Sequence, residues 1–389
     1  MVCKQQAKVF SVNRVCGGPR WPYFYGTRSA WFDSKGCSVQ AYGSWITVTV
    51  LWKKVDSRNK IFDVKTIVAV VVTLASLVTV AAQKELDKLR SEGYEALYNL
   101  DYEGARKRFQ KMTEIAPDNP AGAQCYASSL WVQQLNEAWE LKSTLYSTDE
   151  DTKSKTKVDR RQVDEFRNWT RRAKQLSEAR LRKNPRDIDA LYFLGAAEGL
   201  EAAFAAGVER KFMAALRSGS SSVDHHREVL KLSPQFHDAE LTIGLQNYVV
   251  GSLPLPAKMI AATMGVRGSK KRGLEGLERV ASEGHWARDI ARVLLVDLYK
   301  RERRWTDAIT MARELSEKYP RNYLFKLQMA EALTSQIVTL RKAKAPSGAE
   351  EKELTTIFTA LSRDKTLARA TSDLVQHRWT ISRQQLGQR

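Results

Sequence analysis

"LRSEGYEALYNLDYEGARKRFQKMTEIAPDNP", residues 89–120, carries the pattern on which the reading of the chain turns. Gly93, Ala105, Phe109 and Pro117 fall at offsets of 0, 12, 16 and 24 within it. Gly93 and Ala105 are small enough for two antiparallel helices to approach closely. Phe109 is large enough to fill the space between such units. Pro117 ends the second helix, because it has no N–H and its ring clashes with the preceding turn. Asp101-Tyr102 makes a short polar turn between the helices. Asn119-Pro120 opens the next helix with a capping residue and a proline at its first position.

The same ending recurs in "RKNPRDIDALYFLGAAEGL" (182–200), "LKLSPQFHDAELTIGLQNY" (230–248) and "SEKYPRNYLFKLQMAEAL" (316–333). In each, Pro185, Pro234 or Pro320 terminates one helix and an apolar helix begins a few residues later. Gly195, Gly244 and Ala330 lie ten residues after these prolines, as Ala127 does after Pro117. A further pair, "IARVLLVDLYKRERRWTDAITMARELSEKYP" (290–320), has Tyr299, Ala308 and Pro320 at matching places. Its "RERRW" parallels the "NLDY" turn.

These offsets resemble the tetratricopeptide repeat (TPR) superfamily over residues 86–345. The resemblance implies an all-α, right-handed solenoid of about five or six helical hairpins, with a concave face for protein or peptide partners. The solenoid is expected over 83–345, with C-terminal capping helices and a tail over 346–389. The spacing departs from a strict repeat. Pro117 to Pro185 is 68 residues, occupied by one long hairpin (121–182) around the linker "STDEDTKSKTK". Pro185 to Pro234 is 49, which calls for longer helices or an insertion at "RSGSSS" (217–222). Pro234 to Pro320 is 86 and contains an irregular insert, 247–272.

The first 63 residues differ from the rest: they contain no glutamate, one leucine and four of the ten tryptophans. "AYGSWITVTVLW" (41–52) alone has strand propensity, and one short strand cannot stand alone. Residues 1–63 therefore read as a poorly ordered extension, or as a prefix that is not native, with translation starting near Val64. The second reading makes sense of "VKTIVAVVVTLASLVTVAAQ" (64–83) as a signal peptide or membrane anchor over 64–82. Lys65 is then its basic start, Ile67–Val80 its apolar core and Ala81-Ala82 its small-residue end. The apolar stretch is at the short limit for spanning a bilayer. The chain is thus expected to be exported, in a bacterial periplasm or anchored to its membrane.

Formal net charge is +19 over 389 residues. Residues 1–82 hold 11 Lys/Arg against three acids, whereas the remainder is mixed, with 52 Lys/Arg and 41 Asp/Glu. No dense basic stripe with interleaved aromatics appears, so no nucleic-acid partner is expected. Cys3, Cys16 and Cys37 match no zinc spacing, and Cys125, amid apolar neighbours, reads as a buried inert thiol.

No P-loop, HExxH, GxSxG or dinucleotide fingerprint is present, and no cofactor, metal or catalytic residue is assigned. The expectation is a non-enzymatic interaction scaffold. His225, His226 and His237 offer the one route to a metal enzyme, although adjacent histidines diverge on a helix. The insert's Leu-Pro break with Met259, Ile260 and Met264 has three readings: a plug in the core, the lining of an apolar groove, or a lipid-contacting segment near 251–265 beside Lys270, Lys271 and Arg272. Inner-groove positions come mainly from the first helix of each pair, which makes Tyr192, Glu198, Gln246 and Asn247 the candidate binding residues.

Overall fold

The computed structural model describes the backbone of residues 37–41, 44–48, 64–141 and 160–387, and the side chains of 81–137, 160–369 and 371–387. The rest of the expected prefix, the side chains of the apolar run before Ala81, and the "STDEDTKSKTK" linker lie outside the described residues. Two compact units are present: Met1–Lys88 with Met112–Asn119, and Leu89–Lys111 with Pro120–Arg389.

In the first unit, β1 (Cys37–Ala41) pairs antiparallel with β2 (Ser44–Val48), with Val39 opposite Ile46. Sequence alone singled out only the second of these strands. Helix α1 (Val64–Tyr98) begins in this unit and runs on into the second. Among the described residues, no helix is long and apolar enough to cross a membrane. The last turn of α2 (Tyr102–Ile115) also belongs here, and Pro117 stands two residues past its end.

The second unit is helical throughout. After α2 come α3 (Pro120–Leu141), α4 (Arg160–Lys183), α5 (Ile188–Gly207), α6 (Phe212–Leu232), α7 (Glu240–Ser252), α8 (Leu255–Thr263) and α9 (Lys270–Glu283). These are followed by α10 (Arg288–Arg301), α11 (Trp305–Lys318), α12 (Tyr323–Lys342), α13 (Gly348–Arg363) and α14 (Arg369–Gln385). From α3 onward, consecutive helices pack as hairpins and each hairpin packs on the next, except that α7 pairs with α9 and α8 stands outside that pair. The largest core cluster runs from Tyr98 through Leu277, Leu295, Leu315 and Leu333 to Leu386.

The repeat is written into the backbone as well. Pro185, Pro234 and Pro320 each stand two residues past a helix end, and new helical turns start three residues later, at Ile188, His237 and Tyr323. Between paired helices the chain turns through a left-handed residue two positions before the second helix: Leu100 (φ 67°), Arg210 (φ 58°) and Arg303 (φ 58°). After Leu100 and Arg303, the next amide donates to a carbonyl five residues back, Asp101 N to Ala96 O and Arg304 N to Tyr299 O, both at 2.9 Å. This closes the helix end as glycine usually does.

The small residues ten past each proline have a steric cause. A Cβ on Gly195 would lie 2.7 Å from the His226 ring, and one on Gly244 would lie 3.1 Å from Gly273 O. Phe109 works inside its hairpin, not between units: a Cβ on Gly93 would meet its ring at 2.3 Å. Ala105, Phe109 and Ala308 are fully buried, and buried Tyr299 donates to Glu278 Oε1 at 2.9 Å. The 49-residue interval is met by longer helices. α6 continues unbroken through "RSGSSS", where Ser222 Oγ donates to Gly195 O at 2.6 Å and draws the two helices together.

Candidate functional site

The apolar face of α1 places Leu86, Arg90, Gly93 and Leu97 at helical spacing, so a cation stands where a hydrophobe is the norm. From Leu89 to Tyr98 this helix lies against the turns that join successive hairpins. The Arg90 guanidinium sits 4.0 Å above the Trp286 ring and 5.2 Å from that of Phe193. Its Nε is buried without a hydrogen-bond partner, so aromatic faces carry much of its compensation. The Tyr98 ring lies 5.1 Å from that of Tyr319, Tyr98 O accepts from Asn322 Nδ2 at 2.7 Å, and Asn99 Oδ1 accepts from Arg321 N. Asp238, nearly fully buried, accepts three amides, from His285, Trp286 and Ala287, at 2.8–3.0 Å, and so fixes the turn between α9 and α10.

Burial pushes the Cys125 thiol up from its ordinary value, which suits an inert core residue. Burial likewise holds Tyr94 and Tyr192 in the neutral form. The centre around Arg90 thus holds few accessible groups and fits a structural clasp.

Two of the candidate groove residues are inside the protein. Tyr192 packs between Phe193, Phe236 and His226, with ring centroids 4.9–5.3 Å apart. Glu198 is buried and accepts from Ser221 Oγ and bonds His225 Nδ1, each at 2.8 Å. Both turn toward α6 because the long α5–α6 hairpin closes over that face. Gln246 and Asn247 are half-buried, and Asn247 Nδ2 donates to Ile243 O at 2.9 Å.

The three histidines do not converge. His225 is held by Glu198, which raises its pKa. His226 uses Nδ1 on Thr242 Oγ1 and Nε2 on Tyr192 O, and burial lowers its pKa to about 4. His237 bonds Glu240 and Glu283, one through each ring nitrogen, at 3.1 Å. Among the described residues, no group of three His, Cys, Asp or Glu side chains is placed to hold a metal ion.

An open cleft lies elsewhere, between the start of α11 and the end of α12. It encloses about 300 Å³ and is lined by Arg303, Trp305, Thr306, Gln336 and Thr339. A neighbouring recess of about 210 Å³ extends it along Thr306 and Gln336 to Arg313, Glu350 and Glu353 on α13. Gln336 Nε2 donates to Thr306 Oγ1 at 3.2 Å across the floor. Arg304 is committed to Glu278 and Asp307, which leaves exposed Arg303 as the cleft's available cation among the described residues. Sequence reasoning missed this cleft, because its residues are ordinary polar types brought together only by hairpin stacking.

Beyond the β1–β2 pair, the described chain is a stack of α-helical hairpins. No protein-family model and no curated protein matches it. Among solved structures it is similar to a thermophilic TPR protein of Thermus thermophilus, with a TM-score of 0.36 and 15% identity over 64% of this chain and 98% of that one. It is also similar to a monomeric mutant of IFIT1 with Gppp-AAAA, with a TM-score of 0.35 and 12% identity over 77% of this chain and 66% of that one. TM-scores this low say nothing of partners, and the hairpin architecture rests on the helices themselves.

Proposed function

We propose that the chain is a non-enzymatic protein-interaction scaffold, exported or membrane-tethered through residues 64–82. The cleft shared by α11, α12 and α13 carries the first part. It is open, it presents a cation, hydroxyls and an amide along several turns, and it lies between hairpins, where stacked repeats hold extended peptides. Arg303 favours a segment with a carboxylate beside a polar stretch. Export rests on the basic, apolar, small-residue order of 64–82.

A photo-crosslinking amino acid at Gln336, set against one at exposed Lys365, tests the cleft in full-length protein within its native cell envelope. A discrete protein adduct at Gln336 that weakens in Arg303→Glu is the expected result. Equal adducts at both positions would remove the cleft as the binding site. Export is tested separately by the N-terminal peptide of the mature protein. A start near Gln83 or Val64 supports it, and peptides from residues 1–60 sink the idea of a non-native prefix.

A further inference from the structure

Helix α8 does not plug the core. It contributes Ala261 to a small cluster with Val250 and Val266, with Leu216 and Leu253 packed alongside. Its other apolar side chains point outward, with Leu255 72%, Met259 63% and Ile260 58% exposed, and Met264 is exposed just beyond its end. Phe212 and Met213, one turn before Leu216 on α6, add to the same face at 65% and 54% exposure. Isolated exposed hydrophobes are ordinary, but six large ones around one short helix are not.

The segments that carry this face are rich in cations, although Lys270, Lys271 and Lys211 are paired with Glu302, Glu275 and Glu209. Residues 249–272 contain five Lys/Arg and residues 210–217 three, with no aspartate or glutamate in either stretch. Arg267 and Arg272 are exposed and have no ion-pair partner among the described residues. The one hydroxyl on α8, that of Thr263, donates to Ile260 O, so it is not offered to a protein partner. Protruding apolar side chains beside the uncompensated Arg267 and Arg272 match a surface that is negative at its plane and apolar just beneath it. We propose that the α8 face docks on an anionic phospholipid bilayer, with Leu255, Met259, Ile260 and Met264 entering the interfacial layer and these cations at the headgroups.

The test uses the full chain, with hydrogen–deuterium exchange read over residues 253–266 and co-sedimentation with vesicles. Vesicles of phosphatidylcholine with about one-third phosphatidylglycerol are compared with pure phosphatidylcholine. The apolar run at 64–82 is common to every variant, so differences between variants report on α8. Exchange at 253–266 is expected to slow on anionic vesicles. Met259→Glu/Ile260→Glu is expected to abolish that protection and weaken binding about tenfold or more. Lys271→Glu/Arg272→Glu is expected to cost about tenfold in low salt. All four side chains are exposed, so circular dichroism should match the parent. Unchanged exchange at 253–266 on binding, or equal binding by the Glu variants, overturns the proposal. Protection that rises with protein concentration in the absence of lipid does the same, by assigning the face to a second copy of the chain.

Discussion

The Arg90 guanidinium lies 4.0 Å above the Trp286 indole, joining the first repeat helix to the turn before α10. The two residues are far apart in sequence and meet because α1 runs along the turns between hairpins. Arg90 is 7% exposed, so its stem also fills space. Arg90→Ala is expected to lower stability by about 2–4 kcal/mol, combining a cavity with the lost cation–π contact. A double-mutant cycle with Trp286→Leu, read by urea denaturation, should give a coupling of about 1 kcal/mol. Additive effects would show that the stacking contributes nothing.

Gly93 and Phe109 give a sharper steric prediction. A methyl at 93 would stand 2.3 Å from the buried Phe109 ring, so Gly93→Ala should cost about 1–3 kcal/mol despite alanine's better helix propensity. Phe109→Leu in the same chain should recover part of that loss. Stabilisation by Gly93→Ala alone would show that the hairpin can open at that point.

His226 makes stability depend on pH. Its folded pKa is lowered to about 4 by burial, below the ordinary 6.5. The unfolded state therefore takes up the proton first as pH falls. The contribution is fully present above about pH 6.5 and is lost progressively down to about pH 4, a total of about 3 kcal/mol. His225 runs the other way, its pKa raised by Glu198, and is partly exposed, so its share is smaller. Imidazole NMR should show His225 charging above its ordinary value while His226 stays neutral. A His226 that charges near 6.5 contradicts the buried geometry.

Asp238 satisfies three amides in the turn before α10 through a single carboxylate oxygen. Asp238→Ala should cost about 3 kcal/mol, by orphaning the three donors of that turn. Local exchange at 285–287 should rise more than at α13. Uniform exchange across the chain would mean that the loss is global and not local.

Lys344 occupies a left-handed turn at φ 55°. Lys344→Gly should leave stability unchanged or raise it by up to about 1 kcal/mol, read as a shift in urea midpoint at constant slope. A clear loss would show that the lysine side chain contributes there.

Four of the hairpin ends were legible because each carries a local instruction: a proline two residues past a helix end, and a small residue ten later. The junction from α9 to α10 carries no proline. Such marks act through sterics within a few turns, so composition and spacing report them directly. The binding positions were not legible. Tyr192 and Glu198 are typical groove residue types, but the lengths of α5 and α6 set which side they face, and that is a property of packing. Arg90 did leave a signal, a cation in the apolar register of Leu86, Gly93 and Leu97. α8 left another in its run of apolar and basic residues without acids. The cleft at Gln336 left none, since it exists only where three helices from different hairpins meet.

The contacts of Tyr98 and Asn99 with Asn322 and Arg321 span sequence separations of 224 and 222 residues. Repeat arrays ordinarily melt from their ends, because each unit touches only its neighbours. A chain whose opening helix is tied to its late turns has fewer free ends from which to fray. Its assembly must wait for that long loop to close, which slows folding and couples early and late repeats into one cooperative transition.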